Sequence, residues 1–172
     1  AGPVCAAAVR LPMGAVIPGL DDSKKLTEKK REALYDVIKE TAVSYGIAFA
    51  SEKEIDEMNI LNATSLAMKR AAEKLGVKPE LALIDGNQKP HTGINEVTVI
   101  KGDGKSMSIA AASVLAKVTR DRYMLELDKK YPQYEFRKHK GYGTKLHYEK
   151  LLEYGISDVH RKTFLKNLED KR

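Results

Sequence analysis

The 172-residue chain has a single cysteine, and no apolar run approaches the roughly 20 residues needed to cross a bilayer. One cysteine excludes an internal disulfide and a multi-cysteine zinc site and suits a reducing compartment, so we expect a cytoplasmic protein. Cys5 lies in the apolar run from Val4 to Val9, where a small buried hydrophobe is a simpler reading than a nucleophile. No charged segment precedes a short apolar one at the start, which removes the secretory reading and, with it, any membrane partner. Low-complexity tracts, long charge runs, internal repeats and linkers rich in Gly, Pro or Ser are also missing. With 42% hydrophobic and 31% charged residues, the chain can bury a core and lacks the composition of a disordered segment. Its length fits one domain. It opens at Ala1 and not at Met, from which we expect the natural start to lie upstream.

Apolar periodicity outlines an α/β domain with at least four strands. Ala1 to Pro12 and Ala42 to Ala50 read as strands, with a helix between them that Thr27 can cap and whose apolar face is Leu34, Val37, Ile38 and Ala42. Ser51 can cap a short turn through Ile55, and Asn59 to Leu75 reads as a helix stopped near Gly76. Leu81 to Ile84 and Val97 to Ile100 are short β-rich runs with no polar face, which predicts strands covered on both sides. Ser108 to about Lys130 is the longest helical pattern and ends at Pro132; Thr144 to Tyr154 is another, stopped by Gly155. We divide this single domain into a core over 1–130 and a basic loop with a C-terminal helical segment over 131–172.

Chemistry concentrates in two places. Asp85 ends one apolar strand and Asp103 follows the other, each beside glycine. If those strands are adjacent, two carboxylates meet, and like charges at close range call for a proton or a hard divalent cation such as Mg²⁺ or Mn²⁺. The ordinary alternative is that Asp-Gly marks a turn. Gly104-Lys105-Ser106 precedes the long helix, but a phosphate loop of the form GxxxxGK[ST] requires glycine at position 99, where Val99 stands. What survives is a helix start at which Ser106 or Ser108 is a cap and Lys105 can hold one phosphate. Asp121 lies between Arg120 and Arg122, either as a surface ion pair or as a third carboxylate near the site.

The second place is residues 129–150. The whole chain carries 30 Lys and Arg against 24 Asp and Glu, a surplus of six, and five of those six charges fall in this segment. Lys138, Lys140 and Lys145 are among its cations, interleaved with Tyr131, Tyr134, Phe136, Tyr142 and Tyr148. Cations for phosphates and flat rings for sugars or bases suit nucleic-acid recognition. The ordinary reading is a solvated basic face whose aromatics anchor it to the core; Gly141 and Gly143 on either side of Tyr142 argue for a presented ring. His139 and His147 lack the cysteine or acid spacing of a zinc site. Ser23 and Lys24, just before the first helix, are a smaller phosphate-contact candidate.

Seven strings carry a resemblance. They are Asp22-Ser23-Lys24-Lys25-Leu26, Asn59-Ile60-Leu61-Asn62-Ala63-Thr64, Leu83-Ile84-Asp85-Gly86-Asn87, Val99-Ile100-Lys101-Gly102-Asp103, the run from Ala110 to Arg122, His139-Lys140-Gly141-Tyr142-Gly143-Thr144-Lys145, and His160-Arg161. In order and spacing they resemble bacterial type 2 ribonuclease H over nearly the whole chain. The resemblance implies an RNase H-like fold, a central mixed β-sheet flanked by helices. It also implies an Mg²⁺- or Mn²⁺-dependent endoribonuclease that cuts the RNA strand of RNA/DNA hybrids, and duplex DNA 5′ of an embedded ribonucleotide, leaving 3′-hydroxyl and 5′-phosphate. By the same resemblance Asp85 and Asp103 match two of four catalytic, metal-holding carboxylates, and Tyr142 matches a tyrosine that stacks on the sugar at the RNA–DNA junction. Ser23, Lys24 and the 137–145 loop match backbone-contacting segments, and Asp121 matches a supporting position. The family's Asp-Glu pair and Gly-Arg-Gly segment precede the stretch with which this sequence opens. We therefore expect the first strand to be missing, and these 172 residues to bind hybrid duplex but cleave it poorly. We expect a monomer. The alternative from another class is a non-catalytic nucleic-acid-binding fragment that uses the basic loop alone, with a phosphate-loop nucleotidase a distant third.

Overall fold

The computed structural model describes residues 1–168; the last four positions of the 131–172 segment lie outside the described residues. Strand β1 (Val4–Arg10) pairs antiparallel with β2 (Ser44–Ala50), Val4 opposite Ala50 and Arg10 opposite Ser44. Helix α1 (Glu28–Thr41) joins them, its first turn capped by the Thr27 hydroxyl, which accepts from the Lys30 N–H. The two faces of β1 alternate as a pleated strand requires. Ala6, with Val4, packs against α2 (Glu52–Met58) and α3 (Ile60–Glu73) through Ile55, Ala63 and Ala67. Ala7 and Val9 pack on the opposite side, against α1 and α4 (Met107–Lys130), where Leu34, Tyr35 and Ile38 meet Ala111, Val114, Leu115 and Val118. Gly46 lets α3 approach, since a Cβ there would lie 2.1 Å from the Ala71 carbonyl oxygen.

Strand β3 (Leu81–Asp85) pairs parallel with β4 (Asn95–Val99), Asp85 opposite Val99. The four expected strands are therefore present, one pair antiparallel and one parallel. They form two separate two-stranded sheets and not one continuous sheet. Between β1 and β3 runs a groove of about 640 Å³, floored by Met68 and Ala72 of α3 and by Ala112 and Ala116 of α4. The expectation that β3 and β4 are covered on both sides is corrected. Ile84 is buried, but Leu81 is 52% and Leu83 41% exposed, and Val97 is open as well. An apolar strand without a polar face reads the same whether or not a second layer covers it, so periodicity could not show the uncovered side.

The C-terminal part packs on the end of α4. Met124 and Leu127 form a cluster with Tyr134, with Phe136 of α5 (Phe136–His139) and with Leu151 of α6 (Lys145–Tyr154). Thr144 caps α6, and Gly155 ends it at φ +78°. Among the described residues, no helix is long and apolar enough to cross a membrane.

Candidate nucleic-acid and metal site

Asp85 is the last residue of β3, and the chain leaving β4 turns through a 3₁₀ segment, Gly102–Gly104, that brings Asp103 to it. The Gly102 N–H donates to Asp85 Oδ1 at 2.9 Å. A Cβ on residue 102 would sit 2.6 Å from Ile109 Cδ1, so a larger residue there would force the Ile109 side chain to move. A third carboxylate, Asp22, faces Asp103 from the loop before α1. Partial burial, together with the facing Asp22 and Asp85, pushes the Asp103 carboxyl above its usual range. The Lys24 N–H, donating to Asp22 Oδ1 at 2.9 Å, holds Asp22 below its own. In the sequence Asp22 is part of a helix-start string, and its contact with a residue some 80 positions away has no local signal. Among the described residues, no three His, Cys, Asp or Glu side chains are arranged to hold a metal by themselves.

A chain of contacts links this acid pair to the basic segment. Arg31 donates to the carbonyls of Ser23 at 2.9 Å and Leu26 at 2.6 Å, fixing the loop that carries Asp22. Asp121 lies 4.0 Å from Arg31 Nη2 and accepts from Lys117 Nζ at 3.0 Å. It is only 6% exposed, so it is a buried bridge and not a surface ion pair. Lys117 Nζ and the Arg120 guanidinium in turn lie 5.4 and 5.1 Å from the centre of the Tyr142 ring. Arg120 does not pair with Asp121 but donates to the carbonyls of Ala1, Pro3 and Lys140, each at 2.9 Å.

The five aromatics of residues 129–150 divide. Tyr134 and Phe136 are core residues, whereas Tyr142 is 52% exposed over its cationic backing. Lys24, Lys105, Lys138 and Lys145 are exposed, and Ser23 is buried. Ser106, and not Ser108, caps α4 by accepting from the Ile109 N–H. The basic charge is partly answered locally: Lys138 and Lys150 pair with Glu135, and Lys145 with Glu149. The exposed Lys145–Glu149 pair is worth little. Lys140 Nζ donates to the Arg137 carbonyl at 2.7 Å. The half-buried Cys5 thiol is pushed up to about 12 by burial, and so remains protonated and inert as a nucleophile.

A family model described as Ribonuclease HII matches residues 1–167. Ribonuclease HII of Endomicrobium trichonymphae is 58% identical over 165 residues, covering 95% of this chain and 79% of that protein. Its counterpart in Caldicellulosiruptor bescii is 54% identical over 168 residues, covering 98% and 82%. Among solved structures, the ribonuclease H2 of Pyrococcus horikoshii superposes with a TM-score of 0.72 over 98% of both chains at 24% identity, a likeness of fold.

Proposed function

The chain belongs to the ribonuclease HII family, a ribonuclease and hence a hydrolase, and from that premise we propose that it is a divalent-metal-dependent endonuclease of ribonucleotide-containing duplexes. It cuts the RNA strand of RNA/DNA hybrids, and duplex DNA 5′ of an embedded ribonucleotide, leaving 3′-hydroxyl and 5′-phosphate ends. The observation that carries the reading is the meeting of Asp85, at the end of β3, with Asp103, in the turn that follows the parallel strand β4, the Asp103 carboxyl being pushed up by burial and by its neighbours' charge. A protein that only gripped phosphates would gain nothing from acids at that place.

The donor set suits Mg²⁺ or Mn²⁺. Mg²⁺ is commonly held by one or two carboxylates, with water and substrate phosphate completing its shell, so Asp85 and Asp103 would hold it without a closed protein cage. When bound there, the cation supplies charge stabilisation and an activated water for phosphodiester hydrolysis. The protein's own groups do the rest. Gly102 orients Asp85 through its backbone N–H, and Arg31 fixes the loop that sets Asp22 against Asp103. Tyr142 offers its exposed ring face to a sugar, while Lys24, Lys105, Lys138, Lys140 and Lys145, with the Ser106 helix start, contact the phosphate backbone.

The test uses an end-labelled DNA duplex with a single ribonucleotide. The expected result is nicking 5′ of the ribonucleotide in Mg²⁺ or Mn²⁺, strong in the protein with its natural start and weak in these 172 residues; in the former it is abolished by EDTA and reduced on the order of a hundredfold or more in Asp85→Asn or Asp103→Asn. Full activity in either variant rejects the site. Duplex binding that is indifferent to Mg²⁺, with no cleavage, identifies a binding module instead.

A further inference from the structure

Three histidines lie beneath the Tyr142 loop, all buried: His139 at 5%, His147 at 4% and His160 at 1% exposure. His139 and His147 stack with ring centres 4.3 Å apart and planes 13° from parallel. The identities of their partners fix where the ring hydrogens are. The Ser157 backbone N–H, which can only donate, points at His160 Nδ1 at 3.0 Å. The His160 hydrogen is therefore on Nε2, which faces His147 Nε2 at 3.2 Å. That makes His147 Nε2 the acceptor and puts its hydrogen on Nδ1, which donates to the Tyr142 carbonyl at 2.8 Å. His139 follows the same logic separately. Its Nδ1 accepts from the Gly141 N–H at 3.1 Å and its Nε2–H donates to the Tyr134 carbonyl at 2.7 Å.

All six ring nitrogens are thus used, three as donors and three as acceptors, and the imidazoles must be neutral. Burial lowers all three, His147 to about 3 and His160 to about 4. No lone pair is left for a metal, which answers the zinc reading on chemical grounds. The two backbone groups flanking the Tyr142 α-carbon region, the Gly141 N–H and the Tyr142 carbonyl, are gripped from below by two stacked rings. The grip acts where Lys140 and Gly141 are successive left-handed residues, at φ +51° and +82°, a conformation uncommon for lysine.

We propose that His160, His147 and His139 are positioning residues: a directional relay of two neutral imidazoles, from the Ser157 N–H through His160 and His147 to the Tyr142 carbonyl, with His139 holding the Gly141 N–H beside it, sets the height and angle at which the Tyr142 ring meets its substrate. The functional half of this rests on the reading of Tyr142 as a stacking residue.

The test separates positioning from filling space. His147→Asn keeps a side-chain donor near the Nδ1 position but leaves a void, whereas His147→Leu fills the volume and removes the donor. A space-filling role ranks Leu above Asn in every measurement. The relay ranks Asn above Leu in amide-exchange protection of residues 141–144, and in affinity for a fluorescein-labelled DNA duplex with one ribonucleotide. For the Leu variant we expect roughly fivefold to tenfold weaker binding, the effect of one lost hydrogen bond. In a Tyr142→Ala background that penalty should vanish, since His147 acts through Tyr142. Unchanged loop exchange in His147→Leu, or Asn no better than Leu, overturns the relay. Should the Leu variant not fold, long-range ¹H–¹⁵N spectra of the unaltered protein decide: Nε2–H on His139 and His160 with Nδ1–H on His147 supports the relay, and any other pattern overturns it. If Tyr142→Ala leaves duplex affinity unchanged, the stacking assignment fails, while loop exchange and tautomers still judge the relay.

Discussion

Replacing Asp121 with alanine removes the anion shared by Lys117 of α4 and Arg31 of α1. The Asp121 side chain is 8% exposed, that of Arg31 13% and that of Lys117 25%. Breaking a fully buried pair costs about 3–5 kcal/mol, because the surviving charge is stranded. Here the survivors are better placed. Arg31 keeps the Ser23 and Leu26 carbonyls as acceptors, and Lys117 can turn towards solvent, so the loss approaches that of one charged hydrogen bond, about 2–3 kcal/mol. For a domain of this size that lowers the melting temperature by roughly 4–12 °C. Urea unfolding is the better assay, since a lower midpoint with an unchanged slope assigns the effect to the folded state. The companion measurement is the cycle with Arg31→Met. Once the stranded guanidinium is gone, the double variant should cost less than the two singles together, by about 1–2 kcal/mol. A loss below about 1 kcal/mol in Asp121→Ala, or strict additivity in the cycle, refutes the idea that Asp121 is a buried bridge holding the Ser23 loop.

Two other perturbations test the fold that carries the site. Gly46→Ala should destabilise by about 1–3 kcal/mol, because the new methyl meets the Ala71 carbonyl oxygen and Lys74 Cβ; unfolding curves matching wild type would show that α3 does not press on β2 as described. Glu54, which caps α2 and pairs bidentately with Arg70, is held down to about 2 from an ordinary 4.5, chiefly by the Arg70 hydrogen bonds. A depressed carboxylate stabilises the fold above its unfolded value and loses that contribution as pH falls. The stability gap between wild type and Glu54→Gln should therefore be full above pH 4.5 and close as pH falls towards 2; a gap that is constant with pH contradicts the pairing.

Features set by neighbouring residues were legible in the sequence. Thr27 and Ser51 cap the helices that follow them, because a cap is decided within three residues. Asp85 and Asp103 could be expected to lie near each other because one ends an apolar strand and the other follows the next, four residues beyond its last residue. Asp121 could not be assigned, since Arg120 and Arg122 beside it are not its partners and Arg31, which is, lies 90 positions away. Composition likewise could not separate Tyr142 from Tyr134 and Phe136. The glycines around Tyr142 were the one local sign that its ring is displayed, and the anchoring role of the other two depends on where α4 ends.

The relay and its surroundings also set an order of assembly. The Gly2 N–H donates to the Val159 carbonyl, Arg161 donates to the Gly2 carbonyl, and His147 waits on His160. The first two of these contacts join the two ends of the chain across nearly its whole length, and such closures form late because the intervening chain must first be ordered. During synthesis, Asp22, Asp85 and Asp103 can come together once α4 has emerged. The Tyr142 ring acquires its fixed pose only after residue 160 has left the ribosome, so a nascent chain carries its acids before it carries the surface that aligns a duplex over them.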